Sequence, residues 1–119
     1  MQRIWRATLN TMNGLRAATA SEAAFQQELF ALVLAVPLAV FVASSLWMAL
    51  ALIAAVLAVM IVELLNTAIE KLADRITLEH DPVIGRVKDM GSAAVGLTLL
   101  VAGAVWLLAI FERVAELLR

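Results

Sequence analysis

The sequence contains no cysteine and a single histidine, His80. The missing cysteines exclude disulfide bonds and thiolate metal sites, and one histidine without a second histidine or cysteine does not make a zinc site. Charged residues are also scarce, at 16% of the sequence. The formal net charge of −1 gives a nucleic-acid partner no electrostatic support. The patterns G-x-x-x-x-G-K-[ST], G-x-G-x-x-G, H-R-D and G-x-S-x-G are absent. Any phosphate group would therefore be bound here without a Walker loop.

Apolar residues are what the sequence has in abundance. They form 64% of the 119 positions, with a mean hydropathy of +0.96, whereas soluble domains are ~45–50% apolar. The length leaves room for one domain, residues 1–119. A cleavable signal peptide is not expected, because Arg3 and Arg6 are followed by a polar stretch rather than an apolar one. We therefore expect a single-domain integral membrane protein that stays full length.

Two long stretches carry no charged residue, 29–62 and 91–111. The second fits one membrane span, since ~20 helical residues cross a hydrocarbon core of ~30 Å. The first is too long for one span and divides near Ser44 and Ser45, which predicts spans at about 27–45 and 48–68. Pro37 lies inside the first span, and we expect a kink there. The predicted fold is all-α, with three transmembrane helices.

Residues 2–17 have a different pattern. Their apolar residues cluster on one side of a helical projection, with basic and amide residues opposite. The apolar residues are Ile4, Trp5, Leu9, Met12 and Leu15, and the polar ones are Arg3, Arg6, Asn10 and Asn13. This pattern predicts an amphipathic helix lying in the membrane interface. The alternative is a short soluble helix packed on a loop.

Basic residues are unevenly distributed about these spans. Two lie beyond the last span, and seven lie on the side of the N-terminus and of a polar connection predicted at about 75–87, namely Arg3, Arg6, Arg16, Lys71, Arg75, Arg86 and Lys88. The positive-inside rule predicts that this side faces the cytoplasm. Three spans form a thin bundle, and their many alanine and glycine residues suit close helix contact. We therefore expect a homo-oligomer.

Four oxygen-bearing side chains follow the second span at helical spacing: Glu63, Asn66, Glu70 and Asp74. Offsets of 3, 7 and 11 residues place them within an arc of about 80° on one helix face. A carboxylate in hydrocarbon costs ~2.5–3.5 kcal/mol on insertion scales, so Glu63 needs a partner, water or a function. The stripe offers the oxygen ligands that Mg²⁺ prefers. Its alternative is ordinary solvation, with i,i+4 pairing to nearby basic residues.

Further polar residues lie at the ends of the spans. Glu22 and Glu28 flank the start of the first span and could be ordinary cap or interface charges. Before the third span, Asp89 or Ser92 could cap the helix. The positive charge of Lys88 is unfavourable at the start of a helix, and an anion such as phosphate would offset it. We interpret His80 as a solvated loop residue near a nucleotide.

Three stretches, "EAAFQQE" at 22–28, "ELLNTAIEKLAD" at 63–74 and "KDMGSAAV" at 88–95, resemble the small prokaryotic diacylglycerol kinases. The resemblance covers nearly the whole chain in order and spacing. It implies a homotrimer in the bacterial inner membrane, with active sites shared between subunits. It also implies transfer of the γ-phosphate of MgATP to diacylglycerol, which gives phosphatidic acid.

The resemblance also implies roles for individual residues. Glu63 would be the catalytic base, and Glu22 and Glu70 would coordinate Mg²⁺ with the nucleotide. The other nucleotide-binding residues would be Arg3, Asn10, Glu79, His80, Asp81, Lys88 and Asp89. On the lipid side, Glu63 would be joined by Glu28, Asn66 and Ser92. Two departures from the family pattern are Gln26, where arginine is common, and Pro82 in the nucleotide-contacting loop.

The sequence leaves three alternative functions. The undecaprenol kinases of the same family share the middle stretch, but their first stretch usually reads E-x-N-x-R-I-H, which "EAAFQQE" does not match. A small proton-coupled exporter would also have one membrane glutamate, but with four spans and the glutamate near mid-membrane. A membrane protein without catalysis would leave the stacked acids unexplained.

Overall fold

A computed structural model describes all 119 residues, which form four α-helices and no strand. The helices are α1 (Gln2–Ser21), α2 (Ala23–Val42), α3 (Leu46–Ile76) and α4 (Pro82–Leu117). The molecule is elongated, with principal extents of 58 × 41 × 23 Å. The all-α prediction is confirmed.

Three of the helices are long and apolar enough to cross a membrane: α2, α3 and α4, with 20, 31 and 36 residues. The prediction of three spans is therefore confirmed, and the four spans of an exporter are not found. Because ~20 residues suffice to cross a bilayer, α3 and α4 each continue well beyond the hydrocarbon core. Their extensions carry most of the polar residues singled out in the sequence.

The two breaks before α3 are short. Glu22 alone separates α1 from α2, with an extended backbone (φ −107°, ψ 107°), and Gln26 Nε2 donates a hydrogen bond across this break to the Thr19 carbonyl oxygen at 2.7 Å. Between α2 and α3, the Ser45 side chain accepts a hydrogen bond from the Met48 amide at 3.1 Å and caps α3. The predicted division near Ser44 and Ser45 is confirmed.

The connection before α4 is shorter than predicted. The polar stretch at about 75–87 was expected to be a loop, but α3 continues to Ile76 and α4 begins at Pro82. The Asp81 carboxylate accepts hydrogen bonds from the Val83 and Ile84 amides at 2.9 and 3.2 Å, and proline in the first turn lacks an amide that would need a partner. Asp81 and Pro82 are thus the signals of a helix start.

This earlier start corrects the predicted cap of the last helix. Asp89 and Ser92 lie inside α4 and do not cap it, and Lys88 lies in its second turn rather than at its start. Lys88 therefore needs no anion to offset its charge at a helix terminus. α1 likewise extends beyond the predicted 2–17, to Ser21. Ala18 is its one buried residue.

Helix α3 lies in the middle and packs against both α2 and α4. Ala39, Leu52 and Ala109, one from each helix, form a buried cluster in which the Leu52 carbonyl oxygen accepts a hydrogen bond from Trp106 Nε1 at 3.1 Å. A second cluster joins Ala18, Phe25 and Met60. Only 11 of 119 residues are buried, so lipid or further protein must cover most of the apolar side chains.

Candidate active site

The oxygen-bearing stripe of α3 runs from a half-buried to an exposed environment. Glu63 is half-buried, Asn66 is buried, and Glu70 and Asp74 are exposed. Asn66 Nδ2 donates a hydrogen bond to Glu70 Oε1 at 3.2 Å, one helical turn away. The predicted stripe therefore exists, and its central amide fixes the orientation of the next carboxylate.

Asn66 is buried because α4 approaches α3 at Gly91. A β-carbon at Gly91 would collide with the amide oxygen of Asn66, so only glycine allows this approach. The Asn66 Oδ1 atom is buried against this contact and has no hydrogen-bond partner. Its desolvation costs about 1–3 kcal/mol, which the packing of the two helices has to offset.

A second contact between α3 and α4 joins Lys88 to Asp74. Lys88 Nζ lies 2.6 Å from Asp74 Oδ1 and donates a hydrogen bond to it. Both side chains are partly exposed, and such a pair contributes about 0–1 kcal/mol to stability. The pair holds the Lys88 ammonium at the end of the α3 stripe.

The short connection between the two helices forms a polar depression of about 340 Å³. It brings together four residues predicted to bind nucleotide: Glu79, His80, Asp81 and Lys88. The Asp81 carboxylate is partly occupied by capping α4. Asp89 is exposed on α4 and does not line this depression.

The Glu22 carboxylate, at the break between α1 and α2, pairs with α3. Its Oε1 atom lies 2.6 Å from Lys71 Nζ, and both residues line a depression of about 420 Å³ between α1 and α3. The sequence indicated only that Lys71 is a basic residue that could pair with an acid one turn away on α3. No local pattern indicates a contact between side chains 49 positions apart, so this ion pair was missed.

Glu28 lies deeper in the bundle, beside an apolar cavity of about 370 Å³ between α2, α3 and α4. Val56, Val59 and Trp106 are among the residues that line the cavity. One oxygen of Glu28, Oε2, is buried without a hydrogen-bond partner. The Glu28 carboxyl thus lies beside an apolar hollow, and Val59 of the same lining is one turn before Glu63 on α3. Ser92 is exposed and lies outside the cavity.

Other predicted residues are not brought together within one chain. Arg3 and Asn10 lie on an exposed face of α1, and Arg3 is 19 residues, or about 28 Å along a helix, from Glu22. No three histidine, aspartate or glutamate side chains are arranged to hold a metal ion. Mg²⁺ bound with a nucleotide needs only one or two carboxylates besides water and substrate phosphates, so Glu22 and Glu70 fit its chemistry without a third carboxylate.

The chain is similar to known proteins over most of its length. The family model described as Prokaryotic diacylglycerol kinase matches residues 9–110. A protein of Escherichia coli strain K12 named diacylglycerol kinase is 45% identical over 111 residues, which cover 93% of this chain and 91% of the relative. Proteins of the same name from Pseudomonas aeruginosa and Haemophilus influenzae are 41% and 39% identical. The match to the Pseudomonas protein covers 89% of this chain and 86% of the relative, and the match to the Haemophilus protein covers 83% and 84%.

The contact between Gly91 and Asn66 gives the first prediction. Gly91→Ala should lower the free energy of unfolding by about 1–3 kcal/mol, because the new methyl group forces Asn66 or the helices apart. Thermal unfolding of the purified protein in detergent micelles measures the loss. Gly96→Ala on the same helix is the matched control: no atom lies within 4 Å of its β-carbon, so it should be neutral or slightly stabilising. Equal melting of the two variants would contradict the contact.

Proposed function

This chain belongs to the prokaryotic diacylglycerol kinase family, and we propose that it transfers the γ-phosphate of MgATP to the primary hydroxyl of diacylglycerol, giving phosphatidic acid. It is an enzyme of the phosphotransferase class. One observation carries the proposal: on α3, Glu63 lies one turn after Val59, which lines the apolar cavity beside Glu28, and one turn before Asn66, whose amide donates a hydrogen bond to Glu70. A lipid alcohol and a metal-bound phosphate would meet at such a boundary.

Glu63 is the catalytic base of the proposed reaction. Its carboxylate takes the proton of the lipid hydroxyl as the hydroxyl oxygen bonds to the γ-phosphorus, while the bond to the bridging oxygen breaks and ADP leaves. Phosphoryl transfer depends mainly on positioning and charge stabilisation rather than on covalent chemistry by the protein. A base at the edge of the bilayer suits this step, because the acyl chains of diacylglycerol remain in the membrane while the hydroxyl reaches the polar stripe.

Glu22 and Glu70 are the residues that would hold Mg²⁺. Asn66 orients the Glu70 carboxylate, and the break between α1 and α2 carries Glu22 towards α3. When bound, Mg²⁺ neutralises the charge of the nucleotide phosphates. Lys88, with Glu79, His80 and Asp81, lines the neighbouring polar depression and would bind the nucleotide. Asp89 has the same proposed role from α4.

We infer that the complete site lies between subunits of a homotrimer. Arg3 and Asn10 have proposed roles at the nucleotide but lie at the far end of α1 from Glu22 within one chain. Most apolar side chains of one chain are also uncovered. A neighbouring subunit would remedy both deficits.

The proposed setting is the cytoplasmic face of the bacterial inner membrane. The basic residues near the N-terminus and the connection between α3 and α4 indicate that both face the cytoplasm, where MgATP is found. α1, with Ile4 and Trp5 exposed, would lie in the membrane interface as an amphipathic helix. Glu28, Asn66 and Ser92 would contact the lipid substrate beside Glu63.

The substrate is tested by offering two lipid alcohols in parallel. Purified full-length protein in lipid micelles receives MgATP labelled at the γ-phosphate, with either diacylglycerol or undecaprenol. We expect label in phosphatidic acid at a much higher rate than in undecaprenyl phosphate, because "EAAFQQE" differs from the first stretch of the undecaprenol kinases. Preferential labelling of undecaprenol would reverse the substrate assignment, and labelling of neither lipid would reject the kinase activity.

Glu63→Gln tests the base. The substitution keeps the size of the side chain but removes its ability to take a proton, so kcat should fall by roughly 10²–10⁴-fold while the Kd for MgATP stays nearly unchanged. Initial rates with diacylglycerol and calorimetric nucleotide binding separate the two effects. Glu112→Gln, on the exposed surface near the other end of α4, serves as the control and should keep wild-type rates. Substantial activity in Glu63→Gln would show that another group takes the proton.

Glu22→Ala and Glu70→Ala test the metal ligands. Each removes one of two carboxylates, so the Mg²⁺ concentration needed for half-maximal activity should rise about tenfold or more. Titrating Mg²⁺ at fixed ATP gives this midpoint for each variant. Glu116→Ala removes a carboxylate from the opposite end of the molecule and should leave the midpoint unchanged. If the midpoint is unchanged in both site variants, neither residue binds the metal.

A further inference from the structure

Lys71 lies between the two carboxylates proposed to hold Mg²⁺. It follows Glu70 directly in α3, and its Nζ atom lies 2.6 Å from Glu22 Oε1. The ammonium therefore reaches from α3 to the break between α1 and α2. Any nucleotide whose metal is held by Glu22 and Glu70 would bring its phosphates close to this lysine.

Stability alone does not explain the Lys71–Glu22 pair. The Lys71 side chain is 66% exposed, and exposed ion pairs contribute little to stability. Glu22 is less exposed, at 23%, so the carboxylate is the more fixed partner and the lysine the more mobile one. A weak pair of this kind can exchange partners when another anion or cation arrives.

The surroundings determine which partner Lys71 would take next. Asp74 is the next carboxylate on the same side of α3, but it already pairs with Lys88 at 2.6 Å. The depression beside Lys71 is lined mainly by small side chains, among them Gly14, Ser21 and Ala68, which leave about 420 Å³ of open space. If Glu22 turns its oxygens to the metal, phosphate oxygens are the anionic acceptors that remain within reach of the ammonium.

We propose that Lys71 is a nucleotide-binding residue whose ammonium pairs with Glu22 in the free enzyme and with phosphate oxygens in the nucleotide complex. Lysine suits this exchange, because it carries three donors on a flexible four-carbon stem. The inference rests on the proposed kinase function and assigns one more residue to the same site. It also gives the Glu22–Lys71 pair a role: the free enzyme keeps Glu22 neutralised until the metal arrives.

Nucleotide affinity at saturating Mg²⁺ tests this assignment. Isothermal titration calorimetry on the full chain in micelles uses an ATP analogue that cannot be hydrolysed. Lys71→Ala should weaken binding about tenfold, since it removes a charge-assisted contact to phosphate, and Lys71→Arg should stay within about threefold of wild type. Arg86→Ala is the control, because it removes an exposed positive charge from α4 that forms no ion pair, and it should bind like wild type.

Two results would overturn the proposal. Unchanged or tighter binding by Lys71→Ala would mean that the lysine only competes with the metal for Glu22. Binding that is weakened at low Mg²⁺ but normal at saturating Mg²⁺ would mean that Lys71 only positions Glu22, because excess metal repairs a lost ligand geometry but not a lost phosphate contact. Melting temperatures of all variants in the same micelles verify that each is folded.

The same samples separate this inference from the proposed function. Wild-type protein that phosphorylates diacylglycerol, with normal nucleotide affinity in Lys71→Ala, overturns only the role of Lys71. Wild-type protein that binds the nucleotide analogue but phosphorylates no lipid overturns the kinase proposal, while the calorimetry still decides whether Lys71 contacts phosphate.

Discussion

The close approach of α4 to α3 at Gly91 is the contact on which the polar end of the molecule depends. It buries Asn66, whose amide then donates a hydrogen bond to Glu70. It also sets the position of Lys88, which lies about one turn before Gly91 on α4 and reaches Asp74 on α3. One glycine on α4 therefore influences how the part of α3 beyond its membrane span presents its acidic side chains. A β-branched or larger residue at this position would separate the two helices and move Asn66 and Lys88 away from their present contacts.

The apolar part of the molecule is held by different means. Ala39, Leu52 and Ala109 pack where α2, α3 and α4 meet, and the Trp106 indole ties α4 to the backbone of α3. In lipid, helices associate by close packing and hydrogen bonds rather than by the hydrophobic effect, which explains why small residues dominate this cluster. The same packing leaves the cavity beside Glu28 open, so the bundle offers an apolar hollow next to a carboxyl.

Periodicity and hydropathy were sufficient to predict the helices, the three spans and the α3 stripe, because these depend on neighbours within one or two turns. The connection at 75–87 was predicted wrongly for a physical reason: proline in the first turn and aspartate at the cap start a helix as readily as they belong to a loop. The role of Gly91 and the Glu22–Lys71 pair could not be predicted, since both depend on the crossing of separate helices. Gln26, where the resemblance led us to expect arginine, donates a hydrogen bond across the break at Glu22.

Two ion pairs of equal length join the polar elements, Glu22–Lys71 between the α1–α2 break and α3, and Asp74–Lys88 between α3 and α4. Neither is deeply buried, so neither can account for the fold, yet each neutralises an acid beside the proposed nucleotide site. An unpaired group of acids would repel one another and splay the three elements apart. Metal-bound phosphates carry both the positive and the negative charge needed to replace these pairs. Weak, exchangeable pairs therefore suit the proposed binding and release of a highly charged nucleotide better than strong buried pairs would.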